Sequence, residues 1–320
     1  NYSEAEIRDV VVIGHGGSGK TSLGEAILFD AKLVTRLGRV DDETSNLDSE
    51  PEEKKRKGTI NPHVSAIEWQ KSKLNLIDTS GQGDFIVDTM IALGAADCAL
   101  CVLSASDGVQ VYTEKTWEAA DNLHMPRFVF VNKMDRERAD FDAVLDQVRR
   151  VLSPSAVALQ LPIGSEGSFE GVVDLVTQKA YRFSEDGRDV LVGEVPGAMV
   201  ASVTEARNKI IEEVAGSDDE LMSIYFDAGT LTDEELQVGL QRAIAAGKLF
   251  PVFCGSASQN RGVQPLLDAM VSLLPAASLG RTRTGIGKSG GEVRRSPKSS
   301  EPLSAFVFKV IPSDVGRLAL

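Results

Sequence analysis

Eight consecutive residues near the amino terminus have the types and spacing of a phosphate-binding loop. They follow the pattern G-x-x-x-x-G-K-[ST], in which glycines let backbone N–H groups curl around a polyphosphate. The lysine of such a loop reaches the β- and γ-phosphates, and the hydroxyl of its last residue ligates Mg²⁺. The pattern predicts a P-loop NTPase without choosing the base, and it assigns phosphate contacts to Gly14, His15, Gly16, Gly17, Ser18, Gly19, Lys20 and Thr21.

The base is indicated by a polar segment, Asn132-Lys133-Met134-Asp135, that follows a predicted buried strand. A carboxylate at the last position can accept both the N1–H and the N2–H of guanine, a pairing that adenine cannot satisfy. Residues 256–257 follow another predicted strand and can offer a main-chain N–H to guanine O6. One such segment is a weak signal, but the set of motifs in this order is a strong one. The predicted guanine contacts are Asn132, Lys133, Met134, Asp135, Ser256 and Ala257.

A third segment, residues 78–81, adds a carboxylate to the predicted phosphate site. Asp78 would hold Mg²⁺ through water, and the N–H of Gly81 would contact the γ-phosphate. Thr59, in a long polar loop, is the candidate for a second hydroxyl on Mg²⁺; the alternative is an ordinary loop threonine. Loops of this kind order around γ-phosphate and Mg²⁺ and are released on hydrolysis. The predicted metal ligands are Thr21, Thr59 and Asp78, and the phosphate site also includes Thr79, Ser80, Gly81 and Gln82.

Strands and helices must alternate along the chain to bring these segments together. The β-branched run at residues 10–13 predicts a buried strand, and a loop over 38–61 separates the following helix from an antiparallel hairpin. Further strands are predicted at 98–103 and 128–131, and helices at 21–30, 113–123 and 140–152. This alternation predicts an α/β fold of the P-loop NTPase class, with a mostly parallel sheet and helices on both faces. Ligands in such sheets bind outside the carboxyl ends of the strands, where the motifs lie.

Residues 155–248 interrupt this rhythm and predict an inserted α+β subdomain. A small antiparallel meander is predicted from strands at 157–163, 171–176 and 179–183. Acidic helices follow at 199–215, 218–228 and 232–246, before the first pattern resumes with a strand at 250–253 and a helix at 262–274. Beyond it, residues 278–301 are rich in Gly, Ser, Arg and Lys and predict a flexible linker.

The last residues predict the beginning of a further domain. A new strand is expected at 303–310, followed by a turn near Pro312, Ser313 and Asp314. One strand and a short extension cannot bury a core, so we expect that this domain is cut off at residue 320.

Composition excludes several classes. Acids number 47 against 34 bases, and a net charge of −13 argues against DNA as a sequence-independent partner. Three cysteines cannot form a disulfide framework, and no segment approaches about 18 uninterrupted apolar residues, so we expect no membrane span. No secretory signal is visible at the start. We therefore expect a cytoplasmic protein with no DNA or membrane partner.

The order of motifs resembles that of translational GTPases, and the detail is similar to bacterial elongation factor G. The resemblance rests on GHGGSGKT, KGTI, DTSGQGDF, NKMDR and CGSA, and it covers nearly the whole chain. It implies a G domain over residues 1–154 and 249–277, a G′ subdomain inserted at 155–248, a linker at 278–301, and the truncated start of a β-barrel domain at 302–320.

The resemblance also implies an activity. It implies hydrolysis of GTP to GDP and phosphate with Mg²⁺, stimulated by the ribosome in the translocation step of protein synthesis. Lys20 would stabilise charge and Gln82 would orient the attacking water. The ribosome would be the partner, through rRNA and stalk proteins and through the full-length factor, and the chain would be a monomer.

Four departures from the family pattern suggest a divergent paralogue. Gln82 stands where histidine is usual; glutamine cannot act as a base, but small G proteins use it to orient water. Gly17 replaces a usual aspartate and Ser80 a common proline, and residues 56–60 read R-K-G-T-I where R-G-I-T-I is usual.

Two alternatives remain open. One is a regulatory module that holds the nucleotide with negligible turnover, which the changes at Gly17 and Gln82 motivate. The other is a ribosomal-protection or release-type translational GTPase, although the G′-like insert favours elongation factor G.

Overall fold

Seven strands form the central sheet of the computed structural model, which describes residues 2–313 and 316–320. In chain order they are β1 (Ile7–Ile13), β2 (His63–Trp69), β3 (Ser72–Asp78), β4 (Cys98–Ser104), β5 (Arg127–Asn132), β6 (Ala156–Ala158) and β11 (Phe250–Cys254). Their order across the sheet is β2-β3-β1-β4-β5-β11-β6. Within this sheet β2 alone runs antiparallel to its neighbour β3, as the predicted hairpin requires. The inner strands β4 and β5 are buried throughout, which explains their continuous apolar sequences.

Two groups of helices cover this sheet. The helices of the main domain are α1 (Lys20–Asp30), α3 (Ile86–Ala95), α4 (Val111–Asn122), α5 (Phe141–Gln147), which continues into a π-helical turn, and α9 (Val263–Leu273). Helix α1 packs beside α9, whereas α3 packs beside α4. None of the helices in the described residues is long and apolar enough to cross a membrane. The mostly parallel sheet with its helices confirms the predicted P-loop GTPase fold.

The predicted motifs follow the carboxyl ends of four strands, β1, β3, β5 and β11. Strands β3, β1, β4, β5 and β11 are successive neighbours, so the loops after them meet at one edge of the sheet. This arrangement is the reason that segments more than 200 residues apart in sequence share one site.

A short helix, α2 (Pro51–Arg56), forms within the region predicted as a loop at residues 38–61. Its first position is proline, its first turn is acidic and its last turn is basic, three features that stabilise helix ends. Glu50 and Glu53 also form a capping box at its start. Six residues fall short of a clear periodic pattern, which explains why the sequence did not predict it.

The inserted subdomain contains a second, antiparallel sheet with the order β10-β9-β8-β7. Its elements are β7 (Gln160–Ile163), β8 (Gly171–Asp174), β9 (Lys179–Phe183), β10 (Val190–Gly193), α6 (Val200–Gly216), α7 (Asp219–Ala228) and α8 (Asp233–Ala245). Strand β10 was not predicted from the sequence, whereas the three helices lie close to their predicted positions.

The single strand predicted over residues 157–163 is wrong, because the chain changes sheets at Leu159. Residues before it form β6, which pairs with β11 at the edge of the main sheet, and residues after it form β7 in the insert. Leu159 itself donates its N–H to Val252 O and accepts a hydrogen bond from Leu175 N, so it is held by both parts of the protein. The apolar run is continuous across the change, and apolarity alone does not show it.

The carboxyl-terminal region differs from its predicted form. The segment predicted as a linker contains a hairpin of β12 (Arg283–Ile286) and β13 (Glu292–Arg295). The strand predicted over 303–310 is wrong except at Val310, where β14 (Val310–Ser313) begins and pairs with β15 (Gly316–Ala319). Leu303 is fully exposed, and an extended segment is a strand only where another strand pairs with it. The predicted turn near 312–314 includes Asp314, which lies outside the described residues.

Candidate functional site

The loop after β1 turns tightly around its own backbone. Gly19, just before α1, has a φ of +92°, in the left-handed region that favours glycine. A Cβ at this position would lie 2.2 Å from Asn132 Nδ2. The residue is therefore restricted to glycine both by its backbone conformation and by the asparagine packed against it.

Lys20 turns back over the loop that precedes it. Its Nζ donates hydrogen bonds to Gly14 O at 2.8 Å and to His15 O at 3.0 Å, and the side chain is almost fully buried. Burial lowers the pKa of Lys20 to about 8, against the opposing effect of nearby Asp78. A bound anion would restore the favourable environment that burial removes from the ammonium group.

The side chain of His15 does not face the phosphate side of the loop. Its Nδ1 lies 3.2 Å from Thr113 Oγ1 on α4, and burial, followed by the charge of Lys20, lowers its pKa to about 4. The imidazole is therefore neutral near pH 7. The backbone of His15, and not its side chain, is therefore the part of this residue that can contact a phosphate.

The three predicted metal ligands lie together. A hydrogen bond of 2.7 Å joins Thr21 Oγ1 to Thr59 Oγ1, and Thr59 Oγ1 lies 3.5 Å from Asp78 Oδ2. Asp78 is buried, and its Oδ1 has no hydrogen-bond partner among the described residues. Burial raises the pKa of Asp78 to about 6, although Lys20 opposes the shift. Two hydroxyls and a carboxylate with an unpaired buried oxygen are hard oxygen donors that suit Mg²⁺.

A fourth residue of this cluster, Asp48, was not predicted from the sequence. Thr59 donates its hydroxyl to Asp48 Oδ1 at 2.8 Å, and Asp48 Oδ2 is buried without a partner among the described residues. Burial raises the pKa of Asp48, and the bond from Thr59 opposes that shift. Asp48 lies in a loop with many acidic residues and no periodicity, so no sequence signal separated it from its neighbours.

Gln82 lies between the phosphate loop and the loop that carries Thr59. A Cβ added at Gly58 would be 3.3 Å from Gln82 Nε2, and one added at Gly16 would be 3.9 Å from Gln82 Cγ. The preceding glycine is equally confined, because a Cβ at Gly81 would lie 2.3 Å from Lys20 Nζ. The position allows the amide of Gln82 to orient a water molecule beside a terminal phosphate.

Thr79 and Ser80 make hydrogen bonds within the protein itself. Thr79 Oγ1 donates to Val12 O at 2.6 Å, which ties the start of this loop to β1. Ser80 is buried, and its carbonyl accepts hydrogen bonds from Tyr112 Oη at 2.7 Å and Thr89 Oγ1 at 3.2 Å. These contacts fix the backbone that leads to Gly81.

Asn132 joins three loops at the base end of the site. Its Nδ2 donates to Ser18 O at 2.9 Å, and its Oδ1 accepts the N–H of Ala257 at 2.9 Å. Asp135 lies three residues later, and its buried Oδ1 has no hydrogen-bond partner among the described residues. An unpaired, buried carboxylate oxygen at this position suits a ligand that brings two N–H donors.

The other predicted base contacts have structural roles. The side chain of Met134 is fully buried in the core, and its N–H donates to Gly255 O at 3.1 Å. The N–H of Ser256 donates to Arg261 O at 2.8 Å, and the N–H of Ala257 donates to Asn132 Oδ1. The predicted contact with guanine O6 would therefore require Ala257 to share its N–H between Asn132 and the base.

An open cleft of about 240 Å³ runs between these loops. Eleven of the predicted residues line it: Gly16, Gly17, Gly19, Lys20, Thr21, Thr59, Thr79, Gly81, Gln82, Asn132 and Lys133. Residues that were not predicted complete the lining: Ser22, Val40, Asp41, Lys57, Gly58, Arg136 and Ser258. The cleft thus extends from the cluster of predicted metal ligands to the loop that carries Asp135.

The loop that carries Thr59 is held in place by Glu53, a buried carboxylate on α2. Glu53 Oε1 accepts the N–H groups of Ile60 and Asn61 at 2.9 Å each, and His63 Nε2 lies 3.0 Å from both carboxylate oxygens. Burial alone would raise the pKa of Glu53, but the bonds from His63, Asn61 and Ile60 outweigh it and lower the pKa to about 2.

Two comparisons with known proteins agree with this geometry. Residues 5–276 match the family model for the elongation factor Tu GTP binding domain. The fold is also similar to the crystal structure of a protein from Thermus thermophilus, with a TM-score of 0.81 and 31% sequence identity. The alignment covers 99% of this chain and 48% of the Thermus protein, so the chain spans about half the length of that structure.

We predict that Glu53→Gln lowers the free energy of unfolding at pH 7 by about 2 kcal/mol, because the folded state stabilises the ionised carboxylate through hydrogen bonds that the unfolded state lacks. The lowered pKa sets the pH window: the contribution of Glu53 is complete above about pH 4.5 and is lost as the pH falls toward 2. Urea unfolding from pH 7 to pH 3 should therefore show the difference between variant and wild type shrinking with acid.

The matched control is Glu52→Gln, which alters the neighbouring, half-exposed carboxylate that pairs with Arg56. It should change the free energy of unfolding by no more than about 0.5 kcal/mol. Equal losses in the two variants would contradict the role given to Glu53.

Proposed function

The chain belongs to the elongation factor Tu GTP-binding domain family, and from that premise we propose that it binds GTP with Mg²⁺ and hydrolyses it to GDP and phosphate. The observation that carries the proposal is a pair of buried carboxylate oxygens without hydrogen-bond partners, each next in sequence to residues that line the cleft. Within the described residues, Asp135 Oδ1 has no hydrogen-bond partner at the base end, and Asp78 Oδ1 has none at the phosphate end, beside Thr21 and Thr59. Buried polar atoms are normally hydrogen-bonded, so two unpartnered carboxylate oxygens beside one cleft support a ligand in that cleft.

The choice of guanine rests on Asp135. Its carboxylate, whose Oδ2 lies 3.7 Å from Arg136 Nε, would accept the N1–H and N2–H of guanine, whereas adenine offers no donor at N1 and would leave Oδ1 without a partner. Asn132 supports this selection indirectly, because it fixes the distance between the phosphate loop and the loop that carries Asp135. Lys133 and Arg136 line the cleft on the same side and complete the base end.

The hydrolytic step rests on Lys20, on Gln82 and on the predicted metal ligands. Mg²⁺ held by Thr21, Thr59 and, through water, Asp78 would neutralise charge on the β- and γ-phosphates. Lys20 would give up its bonds to the loop carbonyls and donate to phosphate oxygens. Gln82 would orient water for attack on the γ-phosphorus, while Gly16, Gly17 and Gly19 allow the backbone to approach the phosphates closely.

We further propose that the parent protein is an elongation factor G-like translation factor that acts with the ribosome in translocation. The α+β insert after β6 and the resemblance of motif order support this assignment. In that role the domains would be a G domain at 1–154 and 249–277, a G′ subdomain at 155–248 whose first strand, β6, belongs to the sheet of the G domain, a linker at 278–301 that contains the β12–β13 hairpin, and the start of a β-barrel at 302–320. Its ribosomal contacts would be rRNA and stalk proteins, and it would act as a cytoplasmic monomer.

A second candidate follows from Gln82 and Gly17. With glutamine in place of histidine and no carboxylate at position 17, the domain would hold the nucleotide as a regulatory ligand with negligible turnover. A ribosomal-protection or release-type factor is the nearer alternative within translation.

We predict that isothermal titration gives tight GTP binding and ATP binding weaker by a factor on the order of 10³ or more, because adenine leaves Asp135 Oδ1 without a hydrogen-bond partner. Asp135→Asn should weaken GTP and shift the preference toward xanthine nucleotides, whose C2 oxygen accepts where guanine donates. Asp146→Asn, on the exposed side of α5, is the matched control and should bind as the wild type does. Equal affinities for ATP and GTP in the wild type would refute the assignment of guanine.

We predict that Gln82→Ala lowers the single-turnover rate of GTP hydrolysis by a factor on the order of 100, because the attacking water loses its orientation. GDP affinity should be unchanged, since this residue lies beside the position of the γ-phosphate. Purified ribosomes should accelerate the wild type and not the variant, and the exposed Gln110→Ala serves as the control. Tight GTP binding without any stimulated turnover in the wild type would favour the regulatory module instead.

A further inference from the structure

Glu25 is a fully buried carboxylate on α1 that faces no part of the cleft. It accepts four hydrogen bonds from three consecutive residues of the loop before α2. Oε1 accepts Ser45 Oγ at 2.9 Å, Asn46 N at 2.6 Å and Leu47 N at 2.8 Å, and Oε2 accepts Asn46 Nδ2 at 2.7 Å. These four donors come from one segment, so the carboxylate acts as a template for residues 45–47.

The same loop also passes Glu25 at its beginning. A Cβ added at Gly38 would lie 2.2 Å from Glu25 Oε2, so the chain at residue 38 is in close contact with the carboxylate. A buried carboxylate is costly unless hydrogen bonds satisfy it. Since its donors are loop amides, a side-chain amide and a hydroxyl, the folded loop and the buried charge each require the other.

A chain of hydrogen bonds leads from Glu25 to the metal cluster. Ser45 Oγ, which donates to Glu25, accepts the N–H of Asp48 at 3.1 Å. Asp48 Oδ1 then accepts the hydroxyl of Thr59, which lies 2.7 Å from Thr21 Oγ1. Thr21 and Glu25 are four residues apart on α1, on neighbouring turns of one face. The contacts therefore begin and end on the same helix.

We propose that Glu25 is a positioning residue of the nucleotide switch, which holds residues 45–48 on α1 so that Asp48 and Thr59 meet Thr21 at the metal cluster. The inference rests on the proposed GTPase function. Thr59 acts only where γ-phosphate and Mg²⁺ order its loop, and GDP does not require it. Loss of the anchor therefore penalises the GTP-bound form selectively, whereas a general structural defect would weaken both nucleotides.

The test compares Glu25→Gln with Glu43→Gln, an exposed glutamate in the same loop. The readout is the affinity for a non-hydrolysable GTP analogue and for GDP, both with Mg²⁺. Glu25→Gln should weaken the analogue by about 10-fold or more, because a charged acceptor of four bonds is replaced by a neutral one. GDP affinity should stay within about twofold, and the control should match the wild type in both.

Ser45→Ala is the milder second variant, since it removes only the link from Glu25 to Asp48. It should weaken the analogue relative to GDP in the same direction, which keeps the test decisive if Glu25→Gln does not fold. An unchanged ratio of the two affinities in folded variants overturns the inference, and so does an equal loss of both.

A measurement without nucleotide separates this inference from the proposed function. Trypsin cleavage at the basic run of residues 54–57 should be faster in Glu25→Gln than in the wild type or Glu43→Gln. If the wild type binds no guanine nucleotide, the proposed function fails, and the switch role of Glu25 fails with it even if cleavage is faster. If the wild type binds GTP but cleavage and affinities are unchanged in the variants, the inference about Glu25 alone is overturned.

Discussion

The two hydrogen bonds of the Asn132 side chain are the constraint on which the rest of the site depends. Its amide nitrogen holds the carbonyl of Ser18, and its oxygen holds the N–H of Ala257. The loops after β1, β5 and β11 are thereby fixed to one another across the edge of the sheet. The same contact explains why position 19 is a glycine, because a Cβ there would occupy the space of the Asn132 amide. Phosphate and base ends of the cleft therefore keep a set distance, which a nucleotide of defined length requires.

Buried charge is the second feature that shapes the site. Lys20 and Asp78 are both buried, and burial lowers the pKa of Lys20 and raises the pKa of Asp78, which favours the neutral form of each. Asp48 has the same direction of shift as Asp78 for the same reason. Lys20 and Asp78 offset this shift for each other only in part, so a bound cation and polyphosphate would add opposite charges that favour the ionised forms.

Local patterns predicted the parts of the site that lie in one segment of sequence. The phosphate loop, residues 78–82 and residues 132–135 are each short motifs at a strand end, and the structure places them around one cleft. Asp48, Glu25 and the change of sheets at Leu159 were not predictable in this way. Their roles come from partners that lie 11 to 93 residues away, and neither periodicity nor motif marks them. Met134 differs for a related reason: the motif predicts its position but not the burial of its side chain.

The loop between α1 and β2 is fixed at two points by buried carboxylates, which limits how a nucleotide can move it. Glu25 holds residues 45–47 near the middle of the loop and Glu53 holds residues 60–61 near its end, so hydrogen bonds to carboxylates tie the loop at two places. Moving either segment would remove backbone N–H donors from a buried carboxylate, at a cost of several kcal/mol. Between the two anchors, Asp48 and Thr59 depend on contacts with hydroxyls that a bound metal would share. In the proposed switch, Asp48 and Thr59 are the residues of this loop that would respond to the γ-phosphate, and the two anchors would set the position to which they return.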